Sequence, residues 1–201
     1  MSRDSPHRHP PVRGGGPVVQ APHVLSVRMN DAAAGTLGPR PLVAELTPRL
    51  RALVAEGVVL RGEVLVFAGH ADRADTADRT DLTGWECTVS SFHLDDVVPV
   101  RVGHLDSRQP VVSEADQLLM LRHGVGFALE IVRLVRELPE SVAVRCIVSA
   151  NSTNGTFRFH RIRSGESWLQ ADLDGYRSEK VVVVDGGPSS ALNAVAGQPR
   201  A

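Results

Sequence analysis

The feature that most constrains the fold is a long stretch with helical spacing, SEADQLLMLRHGVGFALEIVRLVRELPE, at residues 113–140. Ser113 can cap it together with Asp116, as in a capping box. Apolar residues recur at intervals of three and four, the spacing of one helix face: Leu118, Leu121, Val125, Ala128, Val132 and Val135. Gly124 and Gly126 each lower helix propensity by about 1 kcal/mol relative to alanine. They either permit close packing of the helix on a sheet or divide the stretch into two helices. The pattern predicts a long helix with a buried face.

A shorter helix is predicted near the start of the patterned region, in TPRLRALVAEG at residues 47–57. Thr47 can cap it, Pro48 suits its first position, and Gly57 fits just past its end. The run that follows, VVLRGEVLVF, alternates apolar and polar residues and predicts one half-buried strand.

Strand patterns occur on both sides of the long helix. GWECTVSSFHL predicts a second strand with Trp85, Cys87 and Val89 on one face. VVPVRVGH is a third candidate, which Pro99 would place at a sheet edge. After the helix, two strand-like runs joined by Asn-Gly predict a hairpin with an inner face of Val142, Val144, Cys146 and Val148. KVVVVDGG predicts a strand covered on both faces, in the middle of the sheet.

The order α, β, β, a possible further β, α, β, β, β predicts an α+β two-layer domain with a largely antiparallel sheet. We place this single domain at residues 40–185. Residues 1–39 are expected to form a disordered or loosely ordered tail, because the first 23 residues hold five prolines and three consecutive glycines. Residues 186–201 have similar small-residue character and are also expected to be disordered.

Composition excludes some partners and indicates a compartment. A formal net charge of -1 provides no global field to hold a polyanion or an anionic membrane. Two cysteines make no disulfide framework, and no apolar run reaches 18 residues, so we expect a cytoplasmic protein with reduced thiols and no membrane contact. Lys180 is the one lysine among 22 basic residues, which is typical of a GC-rich, bacterial genome.

Two segments resemble sites for metals or catalysis at first sight. HADRADTADRTD spaces Asp72, Asp75, Asp78 and Asp81 three apart, whereas a calcium loop alternates its ligands, so a solvated loop or frayed helical turn is expected. FHLDDVV contains His93, Asp95 and Asp96, which suit either acid–base chemistry or the turn after a strand. No metal-ligand, nucleophile or phosphate motif is present, so we predict no catalytic residue, metal or cofactor.

The stretch TFRFHRIRSGESWLQADLDGY combines aromatic side chains with local positive charge. The predicted partner-binding residues are Arg158, His160, Arg161, Arg163, Trp168 and Tyr176. A protein surface or a single-stranded nucleic acid would use such residues. Alternatively, Phe157 and Phe159 are core and the arginines are solvated at the strand end. We expect Tyr176 and the arginines on the surface and Trp168 mostly in the core.

Three functions remain open on the sequence. The first is a non-enzymatic protein-binding or adaptor-type small bacterial protein, since a patterned fold carries no catalytic constellation. The second is a hydrolase-like enzyme whose site assembles only in space around His93, Asp95 and His160. The third is nucleic-acid binding through Arg158, Arg161 and Arg163. The positive charge of these arginines would be offset by four acidic residues nearby in the sequence: Glu166, Asp172, Asp174 and Glu179.

Overall fold

The computed structural model describes residues 22–39, 42–77, 80–105, 109–190 and 192. Within them the chain has the predicted α+β fold, with a largely antiparallel sheet and one long helix. The strands are β1 (His23–Met29), β2 (Val58–Arg61), β3 (Val64–Phe67), β4 (Phe92–His93), β5 (Val102–His104), β6 (Pro110–Val112), β7 (Val144–Ala150), β8 (Gly155–Arg161) and β9 (Lys180–Pro188). The helices are α1 (Asp31–Leu37), α2 (Pro48–Glu56), α3 (Leu82–Val89) and α4 (Glu114–Arg136), with 3₁₀ turns at Ala68–Thr76, Leu94–Asp96 and Leu173–Gly175.

The central sheet has the order β1-β9-β7-β8-β4, and each neighbouring pair is antiparallel. The predicted hairpin is β7–β8, and its predicted inner-face residues are all buried. The four-valine strand, β9, lies between β1 and β7, and every valine in it is buried. Its predicted position inside the sheet, with a strand on each side, is therefore confirmed.

Helix α4 is continuous and lies on one face of this sheet, which we call the inner face. Ser113 caps it by accepting a hydrogen bond from the Asp116 backbone N–H at 3.2 Å. A side chain at Gly124 would collide with Val148 of β7, and one at Gly126 with the carbonyl of Ala44. The two glycines therefore permit close packing and do not divide the helix.

Helix α2 has the predicted boundaries. Thr47 accepts from the Leu50 N–H at 3.2 Å, and Gly57 ends the helix with a φ of 80°. The strand predicted after it is wrong as a single element, because the chain turns back at Gly62 to form the β2–β3 hairpin. Gly62 has a φ of 59°, which side-chain-bearing residues rarely adopt.

The strand predicted around Trp85 is also wrong, because those residues form α3. The Asp81 carboxylate caps this helix by accepting from the Gly84 N–H at 2.7 Å. Trp85, Cys87 and Val89 alternate as in a strand, but Glu86, between Trp85 and Cys87, is completely buried. A buried carboxylate contradicts the polar outer face that the strand pattern assumed.

The domain begins earlier and ends later than predicted. Residues 23–39, assigned to the tail, contain β1 and α1, and β1 pairs with β9 along its whole length. Asn30 fixes this region, since its side-chain Oδ1 accepts from the N–H groups of Ala33 and Val181, both at 3.0 Å. The last three residues of β9 were assigned to the other tail. Residues 1–21 and 193–201 lie outside the described residues.

The third strand candidate is confirmed only in part. Residues 102–104 form β5, which pairs with β6 in a separate two-stranded sheet, and Pro99 precedes the strand. Across the described part of the chain, no helix combines the length and apolar character needed to cross a membrane.

Candidate binding surface

The face of the central sheet opposite α4, which we call the outer face, is overlaid by the segment between β8 and β9. We call residues 163–179 the covering segment. Alternation in the strands directs Ile147 and Val183 to the outer face, since their neighbours point towards α4. Leu173 and the ring of Tyr176 pack on them, forming a small second core that holds the covering segment in place.

A charged cluster lies on the outer face beside this core. Arg145 and Asp185 are opposite each other on β7 and β9, and Arg145 donates from Nε and Nη2 to the two carboxylate oxygens at 2.7 and 2.9 Å. Arg28 of β1 donates to the same carboxylate at 3.4 Å. These side chains line a cleft of about 560 Å³, which Glu166 and Leu169 of the covering segment also border. We call it the outer cleft.

His160 neighbours this cluster but is not part of a surface. It lies opposite Arg145 in the β7–β8 register and is 1% exposed. Its Nδ1 is 2.8 Å from the Arg161 carbonyl oxygen, and among the described residues its Nε2 has no hydrogen-bond partner. Burial lowers the His160 pKa to about 4, and the charges of Arg145 and Arg163 act in the same direction. His160 is therefore neutral at pH 7 and cannot contact a partner, contrary to its assignment as a binding residue.

Arg163 also has an internal role. Its guanidinium donates to both oxygens of Glu86, at 2.7 and 2.9 Å, and its side chain is 12% exposed. The same carboxylate accepts from the backbone N–H groups of Leu65 at 2.6 Å and Arg161 at 2.8 Å. Burial raises the pKa of Glu86, and the charge of Arg163 opposes this shift. The pair joins α3, β3 and the end of β8, so the expectation of a solvated Arg163 is wrong.

Trp168 is 41% exposed, so its predicted core position is also wrong. The Arg158 guanidinium carbon lies 5.2 Å from the centroid of the Trp168 ring, a cation–π arrangement. Tyr176 is half-buried, and its hydroxyl accepts from the Gln170 N–H at 3.0 Å. Arg158, Trp168 and Tyr176 border one shallow depression, which we call the Trp168 patch. Leu169 lines both this patch and the outer cleft.

The residues of the enzyme hypothesis are not brought together. His93 is exposed and pairs with Thr156 on β8, whereas His160 is four residues further along that strand, about 13 Å away at 3.3 Å per residue. Asp95 accepts from the Gly155 N–H at 3.1 Å and lies in the 3₁₀ turn after β4. Asp95 and Asp96 thus form the turn that the sequence offered as the alternative.

The aspartate-rich segment contains no assembled site in its described part. Residues 68–76 form a 3₁₀ segment in which Asp72 and Asp75 are exposed, while Asp81 caps α3. Asp78 lies outside the described residues. Across the part of the chain that the structure describes, no three His, Cys, Asp or Glu side chains are grouped so as to hold a metal ion.

Sequence reasoning missed the outer cleft. Its charged residues interrupt three apolar runs at outer-face positions, in VLSVRM, VRCIV and VVVVDGG. A charge inside such a run was the available signal, but pairing Arg28 and Arg145 with Asp185 requires the strand order. The outer cleft and the Trp168 patch together are bordered by three arginines and three carboxylates, which are Arg28, Arg145, Arg158, Glu166, Glu179 and Asp185.

Comparison with known proteins gives a family without a described activity. The model of the Uncharacterized protein PM0498 family matches residues 29–193 of the chain. No curated protein and no solved structure matches the chain.

Proposed function

We propose that this chain, which belongs to the Uncharacterized protein PM0498 family, is a non-enzymatic protein-binding protein of the bacterial cytoplasm that engages its partner at the Trp168 patch. The observation that carries the proposal is an exposed tryptophan stacked on an arginine beside a tyrosine. Trp, Arg and Tyr are the residue types that most often dominate binding energy at protein interfaces.

The patch is held in shape before any partner arrives. The Arg158 guanidinium supports the Trp168 ring, and the Tyr176 hydroxyl bonds the backbone of Gln170. Binding therefore needs little additional ordering of side chains, which is the usual entropic cost of association. This preorganisation supports a binding role for Trp168, a large apolar side chain with much of its surface in water.

The surface chemistry favours protein over nucleic acid. The arginines bordering the outer cleft and the Trp168 patch are balanced by an equal number of carboxylates, whereas a phosphate backbone requires net positive charge. Phe157 and Phe159 are completely buried and unavailable to stack on bases. Arg163 is engaged by Glu86.

A cytoplasmic location is supported by the thiols. Cys87 and Cys146 are buried and unpaired in the structure. Burial raises the pKa of Cys87 to about 12, so this thiol stays protonated and unreactive.

The test begins with capture of partners on the full chain from native lysate, with and without nuclease. The affinity of the purified partner is then compared for the parent, Trp168→Ala and Arg158→Ala. Leu105→Ala is the matched control, because Leu105 is an apolar side chain that is 55% exposed beside β5. We expect Trp168→Ala to weaken binding about 30-fold, the equivalent of about 2 kcal/mol, and Leu105→Ala to have no effect.

Stability is measured on the same variants by urea unfolding. Because Trp168 is partly exposed, Trp168→Ala should cost only about 1 kcal/mol, well below the cost of truncating a core aromatic. Capture that is abolished by nuclease, or an affinity that Trp168→Ala leaves unchanged, would overturn the proposal.

A further inference from the structure

Strand β1 is the longer of the two edge strands of the central sheet. Within the described residues it pairs with β9 alone, and the opposite edge, β4, is only two residues long. Leu25 is 53% exposed and Val27 36% exposed on its inner face, and Val24 is 41% exposed on its outer face. Exposed edge strands normally carry lysines, prolines or bulges that prevent further pairing. In β1 the one Arg, Arg28, is drawn onto Asp185 of its own chain.

Two hydrogen bonds at the ends of β1 determine which backbone groups face outward. The Asn30 N–H donates to the Val181 carbonyl at 3.1 Å, and the Ser189 N–H donates to the Pro22 carbonyl at 3.0 Å. Both continue the β1–β9 register, so the even-numbered residues of β1 direct their backbone groups towards β9. The N–H and C=O groups of His23, Leu25, Val27 and Met29 therefore point to the free edge.

Because these outward-facing groups alternate along the strand, β1 can pair with β1 of a second copy. An antiparallel second copy centred on Ser26 would pair Leu25 with Val27 and His23 with Met29, using all four outward-facing residues. The exposed Leu25 and Val27 would then lie side by side on one face. Val24 would lie opposite Arg28 of the other copy, which keeps the two Arg28 side chains about 13 Å apart. No other antiparallel register uses all four outward-facing residues.

We infer that two copies of this chain associate through β1, antiparallel and with Ser26 at the two-fold axis, to form one continuous sheet. Strand pairing alone gives a small interface, below the usual ~1,600 Å² of stable complexes, so the dimer is reversible and forms at micromolar concentrations. The proposal does not depend on the Trp168 patch.

Cysteine cross-linking of the full chain tests the register directly. Ser26→Cys places two thiols opposite each other at the axis, within the Cα distance that a disulfide needs. Val24→Cys is the matched control, since in this register its two copies are about 13 Å apart although Val24 is exposed. The native cysteines are completely buried and do not contribute. We expect oxidised Ser26→Cys to run as a covalent dimer and Val24→Cys to remain monomeric.

Analytical sedimentation of the full chain, without the introduced cysteines, measures the affinity of the dimer. Val24→Glu should tighten the dimer by pairing with Arg28 of the other copy, and Val24→Lys should weaken it, with a difference of at least about fivefold between them. A parent that stays monomeric up to about 500 µM, equal cross-linking of both cysteine variants, or no difference between Val24→Glu and Val24→Lys would overturn the inference. If another protein or the chain's own terminal residues occupy this edge, the parent will stay monomeric, which is the first of these results.

Discussion

The buried imidazole of His160 should make the fold sensitive to acid. In the unfolded chain His160 has the ordinary histidine pKa of 6.5, whereas burial lowers it to about 4 in the folded protein. Protonation would place a second N–H at Nε2, where no described acceptor lies, near Arg145 and Arg163. The unfolded state therefore binds a proton first as pH falls. The stability contributed by the neutral ring is complete above pH 6.5 and is lost between pH 6.5 and about 4.

The size of the effect follows from the two pKa values. The full loss is about 3 kcal/mol at 1.36 kcal/mol per pKa unit, and about 2 kcal/mol of it should occur between pH 7.5 and 5. Urea unfolding at both pH values measures the loss. His160→Asn is the comparison, because the asparagine amide can still donate to the Arg161 carbonyl but cannot titrate. His123, whose pKa burial also lowers, contributes equally to both proteins.

The variant should lose about 2 kcal/mol less than the parent over this range. Parallel pH profiles for the two proteins would refute the reasoning, since they would mean that the folded protein accepts a proton at His160 without penalty.

Three further predictions concern packing, buried charge and capping, each measured by denaturant unfolding. Gly124→Ala should cost about 1–3 kcal/mol because its methyl group would collide with β7, whereas Gly35→Ala, with open space around it, should stabilise α1 by up to about 1 kcal/mol. Glu86→Gln should cost about 3–5 kcal/mol because it removes the buried carboxylate charge that pairs with Arg163, while Glu137→Gln at an exposed ion pair should cost less than about 1 kcal/mol. Ser113→Ala should cost about 0.5–2 kcal/mol through loss of the α4 cap, and a neutral result would contradict that role.

The helices and strands that the sequence predicted correctly are those whose signals are local. Helix α4 has its cap, its apolar period and its charged ends within one stretch of sequence. The β7–β8 hairpin similarly has alternation and a turn signal side by side. In each case the residues that determine the element are also the residues within it.

The errors arise where a distant partner decides the local structure. Helix α3 has a strand-like pattern until Glu86 is known to be buried against Arg163, 77 positions away. Strand β1 follows a Pro/Gly-rich stretch and has few local signals, and its pairing with β9 comes from the other end of the domain. The pattern of residues within one segment contains no information on the Glu86–Arg163 contact or on the β1–β9 pairing.

The candidate site was predictable in residue type more than in position. Arg158, Trp168 and Tyr176 were identified, and they border one depression. Whether Trp168 is buried depends on the path of an irregular segment, for which periodicity gives no signal. His160 and Arg163 lie in the same stretch of sequence but are withdrawn from the surface by contacts that only the assembled sheet provides.

The position of β9 has a consequence for synthesis on the ribosome. Its neighbours in the sheet are β1 and β7, and β1 precedes it by more than 150 residues. A nascent chain can form the β7–β8 hairpin against α4, but both β1 and β7 lack their shared neighbour until residues 180–188 emerge. Pairings of such long sequence separation slow folding and leave apolar edges open in the meantime. Truncation before residue 180 should therefore yield a chain that depends on chaperones and does not fold as a smaller domain.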